Sequence, residues 1–260
     1  AGSAVGLGNI WRFPYMTGEH GGAAFIIIYL LAVVLLGYPL IINETVLGRF
    51  SQKSPVGAFK ALAPKSPWWL VGALGVFTGF VILSYYAVVA GWALAYTYKV
   101  IIATITPGID HASVFKNHIT SIWEPMIWQF LVMVLTVGII AGGVVKGIQK
   151  WSTILMPILF LIMIILIVRS VTLPGASEGV IYYLKPDFSE VSGRTLLAAL
   201  SQAFFSLSLG MGVFITYGSY LRGKDEIPVS TAYIAGLDII FALLAGFAIF
   251  PEVFALGFEP

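Results

Sequence analysis

Two apolar stretches of membrane length are each interrupted by closely spaced glycines: AVGLGNIWRFP, from Ala4 to Pro14, and FFSLSLGMGVFITYGSY, from Phe204 to Tyr220. Glycine is the worst ordinary residue for holding a helix, and in both stretches small or hydroxyl side chains stand beside it. Lipid offers the backbone no hydrogen-bond partners, so an unwound segment survives only where protein buries it or where it lines a cavity. Two breaks therefore exclude a plain array of continuous spanning helices. Broken helices at corresponding places in two halves point to a solute-binding site near the bilayer midplane.

Composition agrees with a polytopic membrane protein. The 260 residues are 59% hydrophobic and 10% charged, whereas a soluble domain carries about 25% charged residues. Apolar runs of roughly 20 residues are long enough to span. They predict segments at 1–18, 23–48, 68–104, 123–141, 150–171, 195–220 and 228–258. There is no cysteine, hence no disulfide framework and no thiolate metal site. The net charge of +2 and the scatter of basic residues over short loops exclude a nucleic-acid partner. The chain has no initiator Met or signal peptide, and its ends read as cuts in a longer polypeptide.

Orientation follows from the basic residues. Arg49, Lys53, Lys60, Lys65, Lys146, Lys150, Arg222 and Lys224 fall on one side, against Lys116, Arg169, Lys185 and Arg194 on the other. Eight against four puts the first group, and the residue 1 end, in the cytoplasm. Trp68, Trp69, Trp123, Trp128, Tyr182 and Tyr183 sit where spans meet headgroups. Pro157 is expected to kink its span, and the turn-rich stretch 172–194 to form a short helical lid.

Ionisable residues inside apolar segments face a cavity or a partner, because a charge at the bilayer centre costs at least ~3 kcal/mol. Asp238 lies about 16 Å into its span at 1.5 Å per residue. It is either a cation ligand or a protonated acid bonded across helices. Glu44 is placed to accept hydrogen bonds from N–H groups freed by an unwound helix. Arg12, just outward of the first break, is always ionised and could pair with an acid from a distant helix, though no such partner is evident in the sequence. Lys99 can snorkel to the outer interface. N–H groups at Leu7 and Gly8 would attract a carboxylate, and carbonyls at Ala4 and around Phe205 and Ser206 a cation or ammonium. A zwitterion with a small hard cation suits that pairing. The alternative for the first break is close helix packing through Gly2 and Gly6.

The segments AVGLGNIWRFPYMTGEHGGAAFIIIYLLAVVLLGYPL, ETVLGRF and QAFFSLSLGMGVFITYGSYL resemble helices 1, 2 and 6 of the neurotransmitter:sodium symporter family, in its bacterial amino-acid branch. The resemblance runs over the whole chain. It implies an all-α membrane protein with a leucine-transporter-like inverted-repeat fold, discontinuous in helices 1 and 6 and here truncated. Residues 1–260 would be a single transmembrane domain, with 1–171 the first five-helix repeat and 195–258 the first two helices of the second.

For substrate, the resemblance implies Ala4, Leu7, Gly8, Ile82, Tyr86, Phe205, Ser206, Ser208 and Met211. A first sodium would take Ala4, Asn9, Ser206 and Asp238. A second would take Gly2 and Val5, its other ligands belonging to a helix absent from this chain. Arg12 and Phe205 correspond to an outer gate and Tyr220 to an inner one. Chloride in chloride-dependent relatives sits at positions matching Tyr29, Gln202, Ser206, Asp238 and Ala242.

Two departures from the family pattern carry expectations. Gly6 stands where monoamine transporters have an acid, so the substrate should bring its own carboxylate. Asp238 stands where chloride-dependent relatives have asparagine, so chloride should be dispensable. Met211 is flexible and polarizable and suits a bulky hydrophobic or aromatic side chain. The expected function is sodium-coupled symport of a neutral amino acid in the bacterial inner membrane. The rivals are a transport-inactive fragment or substrate sensor and a channel-like protein. An enzyme is not expected, since His20, His111 and His118 lie in loops or at their edges.

Overall fold

The structure, a computed structural model, describes residues 2, 5–103, 111–221 and 226–258. Three positions singled out above, Ala4, Arg222 and Lys224, lie outside them. The first helix begins at Leu7, is wound as a π-helix over Gly8–Arg12 and continues as α1 (Phe13–Glu19). Next, α2 (Ala23–Ala32), a π-segment Val33–Gly37 and α3 (Tyr38–Ser51) form one continuous rod. Both π-segments stand just before a proline, Pro14 and Pro39. Proline gives no N–H to the preceding turn and crowds its carbonyl, and the wider π-turn absorbs that misfit.

The chain goes on through α4 (Pro55–Leu62), α5 (Trp69–Ala103), α6 (His111–Thr120) and α7 (Trp123–Ala141). A third π-segment, Val144–Gln149, leads into α8 (Lys150–Val171), which continues through Pro157. The stretch 172–194 holds α9 (Ala176–Leu184) and a 3-10 turn, Phe188–Glu190. Then come α10 (Gly193–Ser206), α11 (Val213–Gly218) and α12 (Ile227–Ala255).

Among the described residues, five helices are long and apolar enough to cross a membrane: Ala23–Ser51, Trp69–Ile102, Trp123–Ala141, Lys146–Val171 and Ile227–Ala255. Of the other two expected spans, 195–220 is interrupted, and 1–18 is described as a helix only from Leu7 onward. The second interruption occupies Leu207–Gly212, just past the Phe205 and Ser206 at which it was expected.

Backbone contacts group the chain into two compact units, Ala1–Val76 with Thr153–Pro260, and Phe77–Ser152. The first unit has a core of Phe13, Phe25, Tyr29, Ile41, Leu207, Phe214 and Phe250. Helices α3 and α11 cross at touching backbones: a Cβ on Gly48 would strike the Ile215 carbonyl, and one on Gly218 the Thr45 carbonyl. Two adjacent tyrosines fix α9. Tyr182 donates to the Gly18 carbonyl at 3.0 Å, and Tyr183 donates to the Leu243 carbonyl, also at 3.0 Å. Burial pushes the Tyr183 phenol well above its ordinary range, so it remains a donor.

In the second unit, Gly91 brings α5 against the backbone of Gln129. Lys99 does not snorkel alone: its Nζ is 2.6 Å from Glu124 Oε1, with the buried His118 Nδ1 3.3 Å from the same oxygen. Ile82 and Tyr86 lie four residues apart on α5 within this unit, so they share a helix face.

Candidate functional site

The site is built where the first helix meets α10 and α12. At the start of the first helix Asn9 acts as half of a capping box. Its Oδ1 accepts from the Gly6 N–H at 2.9 Å, while the Gly6 carbonyl accepts from Asn9 and Ile10 at 3.1 and 3.2 Å. Leu7 and Gly8 therefore fall in a first helical turn, where N–H groups point away from the helix body. Gly8 lets that turn approach α10: a Cβ there would sit 3.3 Å from the Phe205 ring and 3.6 Å from Ser206 Cα.

At the second break the chain unwinds for a visible reason. Ser208, Gly210 and Gly212 all have positive φ, at 54°, 78° and 73°. In a continued helix the Gly210 N–H would reach back to the Ser206 carbonyl. It goes instead to Glu44 Oε1 at 2.8 Å. The carboxylate of α3 thus takes up a donor freed by the break, as the sequence suggested. The Phe205 carbonyl accepts from the Ser208 N–H at 3.1 Å, which leaves one lone pair for another donor. Met211 lies within the same unwound segment.

Between the breaks is a buried polar cluster. Asp238, Asn9 and Gln202 are fully buried, as is Tyr29, and Ser206 is nearly so. Asn9 Nδ2 donates to Asp238 Oδ1 at 2.8 Å, to the Asp238 carbonyl at 3.0 Å and to Ser206 Oγ at 3.1 Å. Ser206 Oγ lies 2.9 and 2.8 Å from the two carboxylate oxygens, and Tyr29 donates to Oδ2 at 3.2 Å. Three elements thus converge on the carboxylate of a fourth, α12. Ala242, one turn further along α12, is also buried.

Gln202 links this cluster to the outer side. Its Nε2 donates to the Gly8 carbonyl at 2.9 Å, and its Oε1 accepts from Arg12 Nη1 at 3.0 Å. Among the described residues Arg12 is held by neutral acceptors on α10. It also donates to Ser201 Oγ at 3.0 Å, and its guanidinium stands 4.6 Å over the Phe205 ring. Ser201 is the residue that sequence reasoning missed. Its signal was the spacing of Ser201, Gln202 and Phe205 on one side of α10, overlooked because an acid was sought.

Other expected residues are less gathered. Gly2 and Val5 are half-buried ahead of the first helix, and Tyr220, past the end of α11, is 61% exposed. The available donor set is all oxygen with one carboxylate: Asp238, Ser206 Oγ and Asn9 Oδ1 after a turn of the amide. Such a set suits a hard cation of low charge.

Comparison with known proteins agrees with this geometry. The model of the Sodium:neurotransmitter symporter family matches residues 1–118 and 111–259. An uncharacterized sodium-dependent transporter of Bacillus subtilis (strain 168), YhdH, is 46% identical over 263 residues, covering 100% of this chain and 58% of that protein. The sodium-dependent neutral amino acid transporter B(0)AT3 of Mus musculus is 30% identical, covering 99% of this chain and 45% of that protein. The crystal structure of MhsT in complex with L-phenylalanine matches with a TM-score of 0.94 at 48% identity, over 100% of this chain and 59% of MhsT. The chain thus spans about half the length of the relatives it matches, and over that length the fold is the leucine-transporter-like one. It belongs to the sodium:neurotransmitter symporter family.

Proposed function

We propose that this chain carries the substrate site and first sodium site of a sodium-coupled symporter for a neutral, bulky hydrophobic or aromatic amino acid, working by alternating access without chloride. The observation that carries the reading is the convergence of Asn9, Ser206 and Tyr29 on the buried Asp238 between the two breaks. In this reading sodium is cargo. It binds Asp238, Ser206 and Asn9, whose hydroxyl and amide turn their oxygens inward, together with the Ala4 carbonyl. The substrate carboxylate meets the N–H groups of Leu7 and Gly8 and the Tyr86 hydroxyl. The ammonium meets the carbonyls of Ala4, Phe205 and Ser206 and the Ser208 hydroxyl. Ile82, Tyr86, Phe205, Ser208 and Met211 face the substrate side chain.

Tyr29 and Ser206, two of the donors that would surround chloride, are committed to the Asp238 carboxylate, which supports a built-in negative charge. Gly6 supports a substrate with its own carboxylate, and the phenylalanine held by MhsT supports a large one. Arg12 over Phe205 serves as outer gate and Tyr220 as inner gate. Gly2 and Val5 contribute to a second sodium site completed by residues outside this chain. In this reading the protein lies in a bacterial inner membrane, and the basic-residue count supports a cytoplasmic residue 1 end. The two repeats, 1–171 and 195–258, are inverted copies in this reading.

The test is binding of labelled phenylalanine to the purified protein in sodium and in potassium, with tyrosine, tryptophan, leucine, glycine and alanine as competitors. Saturable binding in sodium alone, displaced best by the large residues, is the expected result. Binding indifferent to sodium removes the coupled site, and displacement led by glycine or alanine removes the bulky-substrate assignment.

A further inference from the structure

The short helix α4 turns its apolar side inward and its charge outward. Pro55 and Ala58 are buried, Phe59 is half-buried and Lys60 is exposed. The helix is firmly seated. A Cβ on Gly72, in the first turns of α5, would lie 2.7 Å from the Pro55 carbonyl oxygen and 3.0 Å from the Phe59 ring. The outer face of α4 therefore has a fixed direction. Lys53 folds back across that face, since a Cβ on Gly57 would stand 3.1 Å from Lys53 Cβ and 3.6 Å from its Cδ. Gly57 and Lys60 are three residues apart and share a helix face. Lys60 Nζ stands 5.4 Å from the centroid of the Trp69 ring. Trp68 and Trp69 are themselves 58% and 39% exposed, with Leu62 and Leu70 exposed beside them.

Among the described residues, no acid forms an ion pair with Lys53 or Lys60. The sequence from Thr45 to Ile109 contains no Asp or Glu. Of the elements packed on α4, α11 and the first turns of α5 carry no charged residue, and α3 offers Arg49 and Glu44. Glu44 accepts from the Gly210 N–H. Two exposed lysines on one face, one of them with its ammonium beside the Trp69 ring, together with exposed indoles and leucines, match the headgroup region of a bilayer: the ammoniums meet phosphate, the indoles occupy the interface and the aliphatic groups meet acyl chains. Free phosphate would engage the lysines but leave the exposed tryptophans and leucines unused.

We propose that the face of α4 formed by Lys53 and Lys60, with Trp69 beneath, binds the headgroups of anionic phospholipids in the leaflet it faces. The test is native mass spectrometry of the purified protein titrated with dioleoyl phosphatidylglycerol or dioleoyl phosphatidylcholine. The expected result is about tenfold tighter binding of the anionic lipid, weakening as salt is raised. The double variant Lys53→Gln/Lys60→Gln loses that preference, Lys53→Arg/Lys60→Arg retains it, and the control Lys116→Gln/Lys185→Gln retains it. Should the glutamine double variant fail to fold, the single variant Lys60→Gln is expected to lose at least about half of the preference. Equal binding of the two lipids by the unaltered protein overturns the proposal. So does a preference that survives in the glutamine variants or falls equally in the control. Displacement of the lipid by inorganic phosphate would assign the site to free phosphate and overturn it as well.

Discussion

Asp238 gathers three donors from three other elements, and the amide of Asp238→Asn would lose the negative charge and keep only one acceptor oxygen for them. A hydrogen bond to a charged group contributes about 2 kcal/mol. Losing one such contact to sodium lowers its affinity roughly 30-fold. Sodium titration of substrate binding in Asp238→Asn should show that loss, together with a new stimulation by chloride, since the built-in charge is gone. Unchanged sodium affinity would return Asp238 to a structural role. Ser208 makes a second test. Its left-handed backbone is a strained conformation for a residue with a side chain, costing on the order of 1 kcal/mol. Ser208→Gly should therefore raise the melting temperature while weakening substrate binding, because the hydroxyl proposed to meet the ammonium is removed. Arg12 shows where residue-level reading fell short. Its position beside the break was legible, but its neutral partners Ser201 and Gln202 depend on how α10 is rotated, which a linear pattern does not reveal.

At the scale of elements, glycine decides which helices can touch. The α3–α11 crossing has backbone against backbone at Gly48 and Gly218. Overpacking a close contact costs about 1–3 kcal/mol. Because the obstacle here is a carbonyl rather than a movable side chain, Gly48→Ala and Gly218→Ala should fall at the upper end of that range. Thermal melting in detergent would show it, and an unchanged melting temperature would mean that the helices stand further apart. Gly236 faces nothing within 4 Å, so Gly236→Ala is the matched control. The Tyr183 contact is gentler. Tyr183→Phe keeps the ring against Gly246 and loses one hydrogen bond to the Leu243 carbonyl, a cost of about 1 kcal/mol. Helix existence was readable from the apolar runs, and α9 was anticipated as a short helix in 172–194. The second break follows directly on Ser206, the last helical residue of α10.

For the whole molecule, the coupling predicted is between sodium and substrate. If the two share the space between the breaks, each strengthens the other by the same factor. Substrate affinity measured against sodium, and sodium affinity measured against substrate, should therefore shift equally. Amide hydrogen exchange adds a spatial test. Sodium with substrate should protect both Leu7–Arg12 and the unwound 207–212 segment, while leaving the 23–32 helix as it was. Protection confined to one break would separate the two halves of the site.

The sequence by itself determined the membrane class, the helix interrupted after Ser206 and the family, and it named the residues of the proposed site. These follow from local physics: apolar length, glycine's poor hold on a helix, and the cost of a charge in lipid. Only the tertiary structure decided that Asn9, Tyr29, Ser206 and Asp238 meet, that Glu44 captures the Gly210 N–H, and that Arg12 rests on α10. Those bonds join residues as much as 229 positions apart. Their partners are chosen by helix packing and rotation, and a pattern along the chain carries no record of either.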